Sequence, residues 1–513
     1  GAYIVKKIIC ILLAMVMFLS LFGCSGKTAS DGEAADEPSP KIEAPAPLDK
    51  SGLEAAVSEA EEMDASEYLN GDYLKASIES AKAVLENENA DEKEVLAAME
   101  MVNSVVGNLR DGTEFPDPAD LKSVSDIPDP FTYLDGSFVD SPAEWAGRAA
   151  ELSAMYQHYM YGVWRDGSDE ELSYEYSNGS LTLKIKRIST GAETSFKATV
   201  MLPDESIEAP EGGYPVIVGM HQGISEETAN KCGYATITLD FFGYPVASDD
   251  TKHIGAFYEL YPYGSEPSEQ TGVLMAWGWG CSKIIDALEE GLGEELNISP
   301  VNTIVTGVSR WGKAAAVCGA YEKRFKMVAP SCSGAGGLAL YRYKSEGKTY
   351  DFSSKGAPAD YKYGQNEPIG SLQSSAERGW FNDMFLKFKD SEKLPMDQHM
   401  LAGLVADDSR YMFIIGSCIY EDWVNAPAMW YCYLGAKEIF KALGIENHIA
   451  INIHKEGHAV IPEDIEYMTD YFDYHVYGKE PDHELEDLTT SVFALEENAD
   501  KDMDSFTDWW MAP

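Results

Sequence analysis

The sequence predicts an α/β domain with a mostly parallel sheet, preceded by a small three-helix module. Three observations predict it. From about Phe115 onward, short apolar runs alternate with amphipathic helices. A serine, Ser309, stands between one such run and an Ala-rich helix. Between Leu53 and Leu109, three helical patterns follow one another. At 513 residues and 45% hydrophobic composition, the chain exceeds one ordinary core, so at least two folded units are expected.

The chain opens with Lys6-Lys7 and an apolar run from Ile8 to Leu21. That run is too short for a comfortable membrane span but has the length of a signal-peptide core. It ends in Leu21-Phe22-Gly23-Cys24, which resembles a bacterial lipobox. The resemblance implies that 1–24 is a lipoprotein signal peptide and that Cys24 carries the lipid. The mature protein would then be extracellular, touching the membrane only through that anchor. Residues 25–50 are rich in Ala, Pro, Glu, Asp and Ser without apolar periodicity, as suits a flexible linker.

The helical module is expected over 51–112. Leu74, Ile78, Ala81 and Leu85 share one face, as do Val95, Met99, Val102, Val106 and Leu109. With Tyr68 and Tyr73 near the start of its second helix, it resembles the FIVAR-type modules of bacterial surface proteins. That implies a spacer, with weak carbohydrate binding as the alternative. Over 115–480, a hairpin is expected at Leu181 to Ile188 and Phe196 to Leu202. Strands follow at Tyr214 to Met220, Tyr234 to Leu239, Thr303 to Val308, Met327 to Pro330, Tyr411 to Ser417 and Ile449 to Ile453, with a helix at Val273 to Leu288. An acidic tail is expected over 481–513.

Acidic residues number 86 against 39 basic, for a net charge of -47. Such a chain repels phosphate backbones and anionic membrane surfaces, which argues against nucleic acid as a partner. Of eight cysteines, Cys10 and Cys24 lie in the leader, and the other six lack the paired spacing of a zinc site. Free thiols and scattered disulfides both remain open.

The chemistry concentrates at strand ends. Ile304-Val305-Thr306-Gly307-Val308 runs into Ser309, and Arg310-Trp311-Gly312-Lys313 begins the Ala-rich helix. A tight turn between strand and helix lifts a serine hydroxyl out of the sheet edge and aims the helix N-terminus at developing negative charge. The usual G-x-S-x-G is altered, with the second glycine one position late. The base should follow the last core strand, and His458 in Lys455-Glu456-Gly457-His458-Ala459 sits there. His454 and His458 are four apart, but Gly457 and the alternating Ile449, Ile451 and Ile453 favour strand and loop over a helical metal site. No metal is expected. Glu421 and Asp422, in the loop after the strand ending at Ser417, are the candidates for the acid that orients the imidazole. His399 precedes that strand, is out of order for the base, and reads as structural.

Gly307-Val308-Ser309-Arg310-Trp311-Gly312-Lys313 resembles the G-x-S-R-x-G-K motif of glucuronoyl esterases, carbohydrate esterase family fifteen, whose own pattern has the late glycine. Further segments fall in family order: Ser333-Gly334-Ala335-Gly336-Gly337, Glu377-Arg378-Gly379-Trp380-Phe381, Asp397-Gln398-His399-Met400-Leu401, Glu421-Asp422-Trp423 and Gly457-His458. The match spans roughly Pro130 to Gly478. It implies an α/β-hydrolase three-layer sandwich with Ser309 as nucleophile, His458 as base and Arg310 as a side-chain donor to the oxyanion. Lys313, Glu377 and Trp423 would meet the sugar. Many members carry the acid just before Ser-Gly-x-Gly-Gly, where this chain has Cys332, so the resemblance moves the acid to Glu421, with Asp422 next in line. The implied reaction is hydrolysis of (4-O-methyl-)glucuronic acid esters, as in lignin-carbohydrate linkages of glucuronoxylan, without a cofactor. The alternatives are an acetyl-xylan or other carbohydrate esterase, and a non-catalytic cell-surface binding protein.

Overall fold

The computed structural model describes residues 48–87, 90–112, 115–221, 224–344, 358, 367–419, 423–482 and 510–513. The leader, Cys24 and most of the linker lie outside the described residues. The chain divides into two compact units, 1–113 and 114–513.

In the first unit, helices α1 (Ser51–Glu61), α2 (Gly71–Glu86) and α3 (Glu92–Gly107) pack on one apolar centre of Leu53, Val57, Leu74, Ala81, Val95 and Val102. The helical periodicity predicts these faces. Helix α3 starts at a capping box in which Asp91 and Glu94 each take the other's backbone N–H, satisfying two donors that the first turn leaves unpaired. Tyr73 is half exposed, and Tyr68 pairs by a β-bridge with Asp111.

The second unit is built on a nine-stranded sheet in the order β1-β2-β3-β5-β4-β6-β7-β8-β9. The strands are β1 (Glu170–Ser177), β2 (Ser180–Arg187), β3 (Glu193–Met201), β4 (Tyr214–Gly219), β5 (Ala235–Leu239), β6 (Ile298–Val308), β7 (Met327–Ser331), β8 (Tyr411–Ser417) and β9 (Ile449–His454). Pairing is antiparallel from β1 through β3 to β5 and parallel from β5 to β9. The parallel strands are buried on both faces. In β4, Val216 and Val218 join one core while Ile217 joins the other; in β8, Met412 and Ile414 face away from Phe413 and Ile415.

The larger core is covered by α4 (Trp145–Tyr156), α5 (Val273–Ala287), α6 (Arg310–Tyr321) and α7 (Ala426–Ala442); the smaller by α8 (Pro462–Tyr477) and the short helix Glu226–Lys231. This is the three-layer sandwich that the resemblance implies. Strand β1 is not among the expected strands. It is an edge strand of sequence EELSYEYS with no fully buried residue, so it lacks the apolar run that marks the others.

No disulfide joins any of the six described cysteines. The chain's end, expected as an acidic tail, is anchored at its last residues. Trp510 stacks on buried His399 at 5.2 Å and donates to Ile127 O, while Met511 N donates to Asp129.

Candidate active site

Parallel register aligns the carboxyl ends of β6 to β9, where the loops carrying the predicted residues leave the sheet. Ser309 follows β6 directly with φ 62° and ψ -126°, a left-handed conformation that costs a non-glycine residue about 1–3 kcal/mol. Its N–H donates to Ser331 O at 3.0 Å, and Lys313 N donates to Ser309 O at 2.9 Å, so the serine opens α6. Its hydroxyl makes no capping bond to the helix.

The late glycine has a steric reason. A Cβ on Gly307 would lie 2.5 Å from Trp311 O, and one on Gly312 would lie 2.3 Å from Ser331 O. Helix and sheet meet at Gly312, one residue further along. Position 311 points a tryptophan at His221 and Phe241, with ring centroids 4.9 and 5.5 Å away.

Three groups that touch the residues following the serine, Trp311, Arg310 and Lys313, are absent from the set the sequence predicts. His221, in the loop after β4, has φ 70°, and burial depresses its pKa. Asp249 pairs with Arg310, its Oδ2 2.5 Å from Nη1, and its Oδ1 accepts Trp380 Nε1 at 2.7 Å. Glu367 reaches Lys313, and its N–H donates to Trp423 O at 3.0 Å.

Lys313, expected to meet the sugar, is only 3% exposed. Its ammonium donates to Ser333 O, Ala335 O and Glu367 Oε2 at 2.7–2.8 Å, filling its three donor positions. It thus fastens the Ser333–Gly337 turn to α6, and a sugar hydroxyl would have to replace one of these acceptors.

Glu377 is half-buried, and no described residue partners its Oε2. Burial, and after it the nearby Glu367, push its carboxyl pKa upward against the pull of Lys313 and Arg310. Trp423 is 48% exposed, with its ring 5.3 Å from that of His458. The two face solvent side by side.

His458 lies in the exposed loop after β9. The loop is closed by His454, whose Nδ1 accepts from Glu456 N at 3.1 Å. That bond assigns the proton to Nε2, which donates to Ala459 O at 3.1 Å. Cys332 also reaches Ala459 O, its Sγ at 3.8 Å. It follows Ser331, which accepts the Ser309 N–H, so this buried thiol bridges the Ser309 turn and the His458 loop. Glu421 and Asp422 lie outside the described residues. His399 is buried among packed side chains, its Nε2 3.0 Å from Pro128 O.

Taken together, a strained serine, an arginine beside it, an exposed histidine on the next strand end but two and a cluster of carboxylates and a tryptophan suit acyl transfer on a polar, ring-shaped substrate.

A family model described as glucuronyl esterase, fungi, matches residues 185–444. That span includes Ser309, Glu377 and Trp423 and stops before His458. A multidomain esterase of Ruminococcus flavefaciens is 53% identical over 463 residues, covering 86% of this chain and 60% of that protein. This chain therefore spans about three fifths of that relative's length. A 4-O-methyl-glucuronoyl methylesterase of Neurospora crassa is 32% identical, covering 69% of this chain and 82% of that one. Among solved structures, a carbohydrate esterase family 15 glucuronoyl esterase from Caldicellulosiruptor kristjansonii matches with TM-score 0.65 and 37% identity, covering 74% of this chain and 98% of that one.

Proposed function

This chain belongs to the glucuronoyl esterase family, and from that premise we propose that it is a serine esterase hydrolysing esters of 4-O-methyl-glucuronic acid, such as those joining glucuronoxylan to lignin alcohols. The observation that carries the reading is the strained Ser309 turn with Arg310 directly beside it. The Neurospora crassa relative is named for this ester.

In the proposed reaction, Ser309 Oγ attacks the uronate carboxyl carbon and its proton passes to His458. The resulting oxyanion is held by N–H groups at the start of α6 and by the Arg310 guanidinium. Collapse breaks the bond to the alcohol, which leaves with the proton from His458. Water, deprotonated by His458, then attacks the acyl-enzyme and frees the glucuronic acid and the serine. Glu421, with Asp422 next in line, orients the imidazole, since a thiol at Cys332 cannot carry the charge. Glu377 and Trp423 offer a carboxyl and an apolar face to the pyranose ring, with Lys313 behind them. The enzyme would act outside the cell, anchored at Cys24, with 25–50 as its tether.

The test is hydrolysis of benzyl glucuronate and of acetylated xylan by the protein lacking residues before Ser25, beside Ser309→Ala. The reading predicts cleavage of the glucuronate, lost in Ser309→Ala. Release of acetate alone would replace it with an acetyl esterase, and silence on both with a binding protein.

A further inference from the structure

Arg310 is 40% exposed, and a long side chain so placed samples many rotamers unless something holds it. Here one edge of the guanidinium is held. Nη1 lies 2.5 Å from Asp249 Oδ2, and the guanidinium carbon sits 5.3 Å from the Trp380 ring centroid and 5.7 Å from that of Trp311. Among the described residues, Nε and Nη2 have no hydrogen-bond partner, so that edge remains to donate elsewhere.

Asp249 is itself fixed, with its side chain 16% exposed and its other oxygen bonded to Trp380 Nε1 at 2.7 Å. Its loop is braced from both sides. Trp277 Nε1 donates to Ala247 O, Ser248 N to Ile254 O, and Ser248 Oγ and Lys252 N to the Asp250 carboxylate. A Cβ on Gly379 would lie 2.4 Å from Asp250 O, so the segment carrying Trp380 packs directly on this backbone.

We infer that Asp249 is the positioning residue of the oxyanion arginine: with Trp380 it holds one edge of the Arg310 guanidinium so that the other faces the nucleophile before the substrate arrives. The inference rests on the reading of Arg310 as an oxyanion donor. Two effects of the carboxylate oppose each other. Its charge offsets part of the arginine's positive field, while its bond removes the need to order the side chain as negative charge develops. Preorganisation prevails, because a donor aimed in advance requires no reorganisation at the moment of reaction.

The experiment is a double-mutant cycle with Asp249→Asn and Arg310→Ala in the full chain. It is read by kcat and KM on benzyl glucuronate and by the rate at which an alkyl fluorophosphonate modifies Ser309. The phosphonate forms a tetrahedral adduct at the serine without needing the sugar subsite, so it tests the arginine even if the substrate reading fails. Asp249→Asn keeps the shape and an acceptor for Trp380. It should lower kcat and the phosphonylation rate about tenfold to a hundredfold, below the roughly 10²–10³-fold loss expected for removing the donor itself. KM should stay within about threefold, because the interaction is made in the transition state. In the Arg310→Ala background the same change should cost almost nothing further, which a merely structural role of Asp249 would not produce.

Trp380→Phe keeps the ring and removes the N–H. It should give a smaller loss, likewise absent without Arg310, and it stands in if Asp249→Asn folds poorly. Unchanged or faster reaction in Asp249→Asn, or a loss that adds in full to that of Arg310→Ala, would overturn the inference. A wild type inert to benzyl glucuronate but readily phosphonylated would sink the substrate reading alone. Inertness to both would sink the two together.

Discussion

The Ser309 turn and the His458 loop leave the same edge of the same sheet, yet they are held in opposite ways. Ser309 is placed by backbone: a left-handed φ, an N–H bonded to β7, and two glycines without which strand and helix could not approach. His458 is placed by side chains, in an exposed loop tied down by His454 and the thiol of Cys332. In the proposed reaction, the attacking Ser309 oxygen is fixed by the fold. The imidazole proposed to take up and release the proton sits on a loop whose ties can give. The turn should therefore fail abruptly when altered, and the loop gradually.

The largest effect is expected from Gly312→Val, which drives a branched side chain into Ser331 O. Overpacking of this kind costs about 1–3 kcal/mol and would displace Ser309 with α6. Activity should fall to background with a lowered unfolding midpoint, measured by ester hydrolysis and thermal melting. A Gly312→Val enzyme with ordinary turnover would remove the steric account of the late glycine.

His454→Ala comes next. It removes both of the histidine's bonds to the loop, and about a tenfold loss in kcat is expected, since a residue that does not take part in the proposed chemistry still sets the position of His458. Hydrogen exchange of the amides at 455–460 should quicken while that of β6 and α6 stays unchanged. Equal loosening of both regions would erase the contrast between them.

The change with the least bearing on turnover concerns the acid sensitivity of the fold. Burial pushes His399 from 6.5 down to about 3, so between those values the unfolded chain binds a proton that the folded chain refuses. Its contribution to stability is full above about pH 6.5 and declines as pH falls toward 3, with a slope of at most about 1.4 kcal/mol per pH unit. In His399→Gln, denaturant melts should show a flatter acid limb from pH 6.5 to 4. An unchanged slope would mean that other groups set it.

Much of this was legible in the sequence, for identifiable reasons. The parallel strands announce themselves because burial on both faces demands continuous apolar runs such as Ile304-Val305 and Phe413-Ile414-Ile415. Ser309 and His458 could be placed from chain order and strand ends. Asp249 and Glu367 could not, because each matters through a partner 54 or more positions away and looks like any of 86 acidic residues. His221 did carry a signal, its place in the loop after β4, where this kind of fold draws backbone donors for an oxyanion. Strand β1 was hidden because an exposed edge needs no apolar pattern. The burial of Lys313 was hidden because nothing local shows that two carbonyls and a glutamate converge on it.

The most direct test is to mix the full chain with benzyl glucuronate, quench in acid within milliseconds to seconds, and weigh the intact protein and its peptides. The account predicts a glucuronoyl adduct on the peptide containing Ser309, absent from Ser309→Ala, which should turn over at least about 10⁴-fold more slowly. Turnover that survives in Ser309→Ala, or an adduct on another residue, would contradict it.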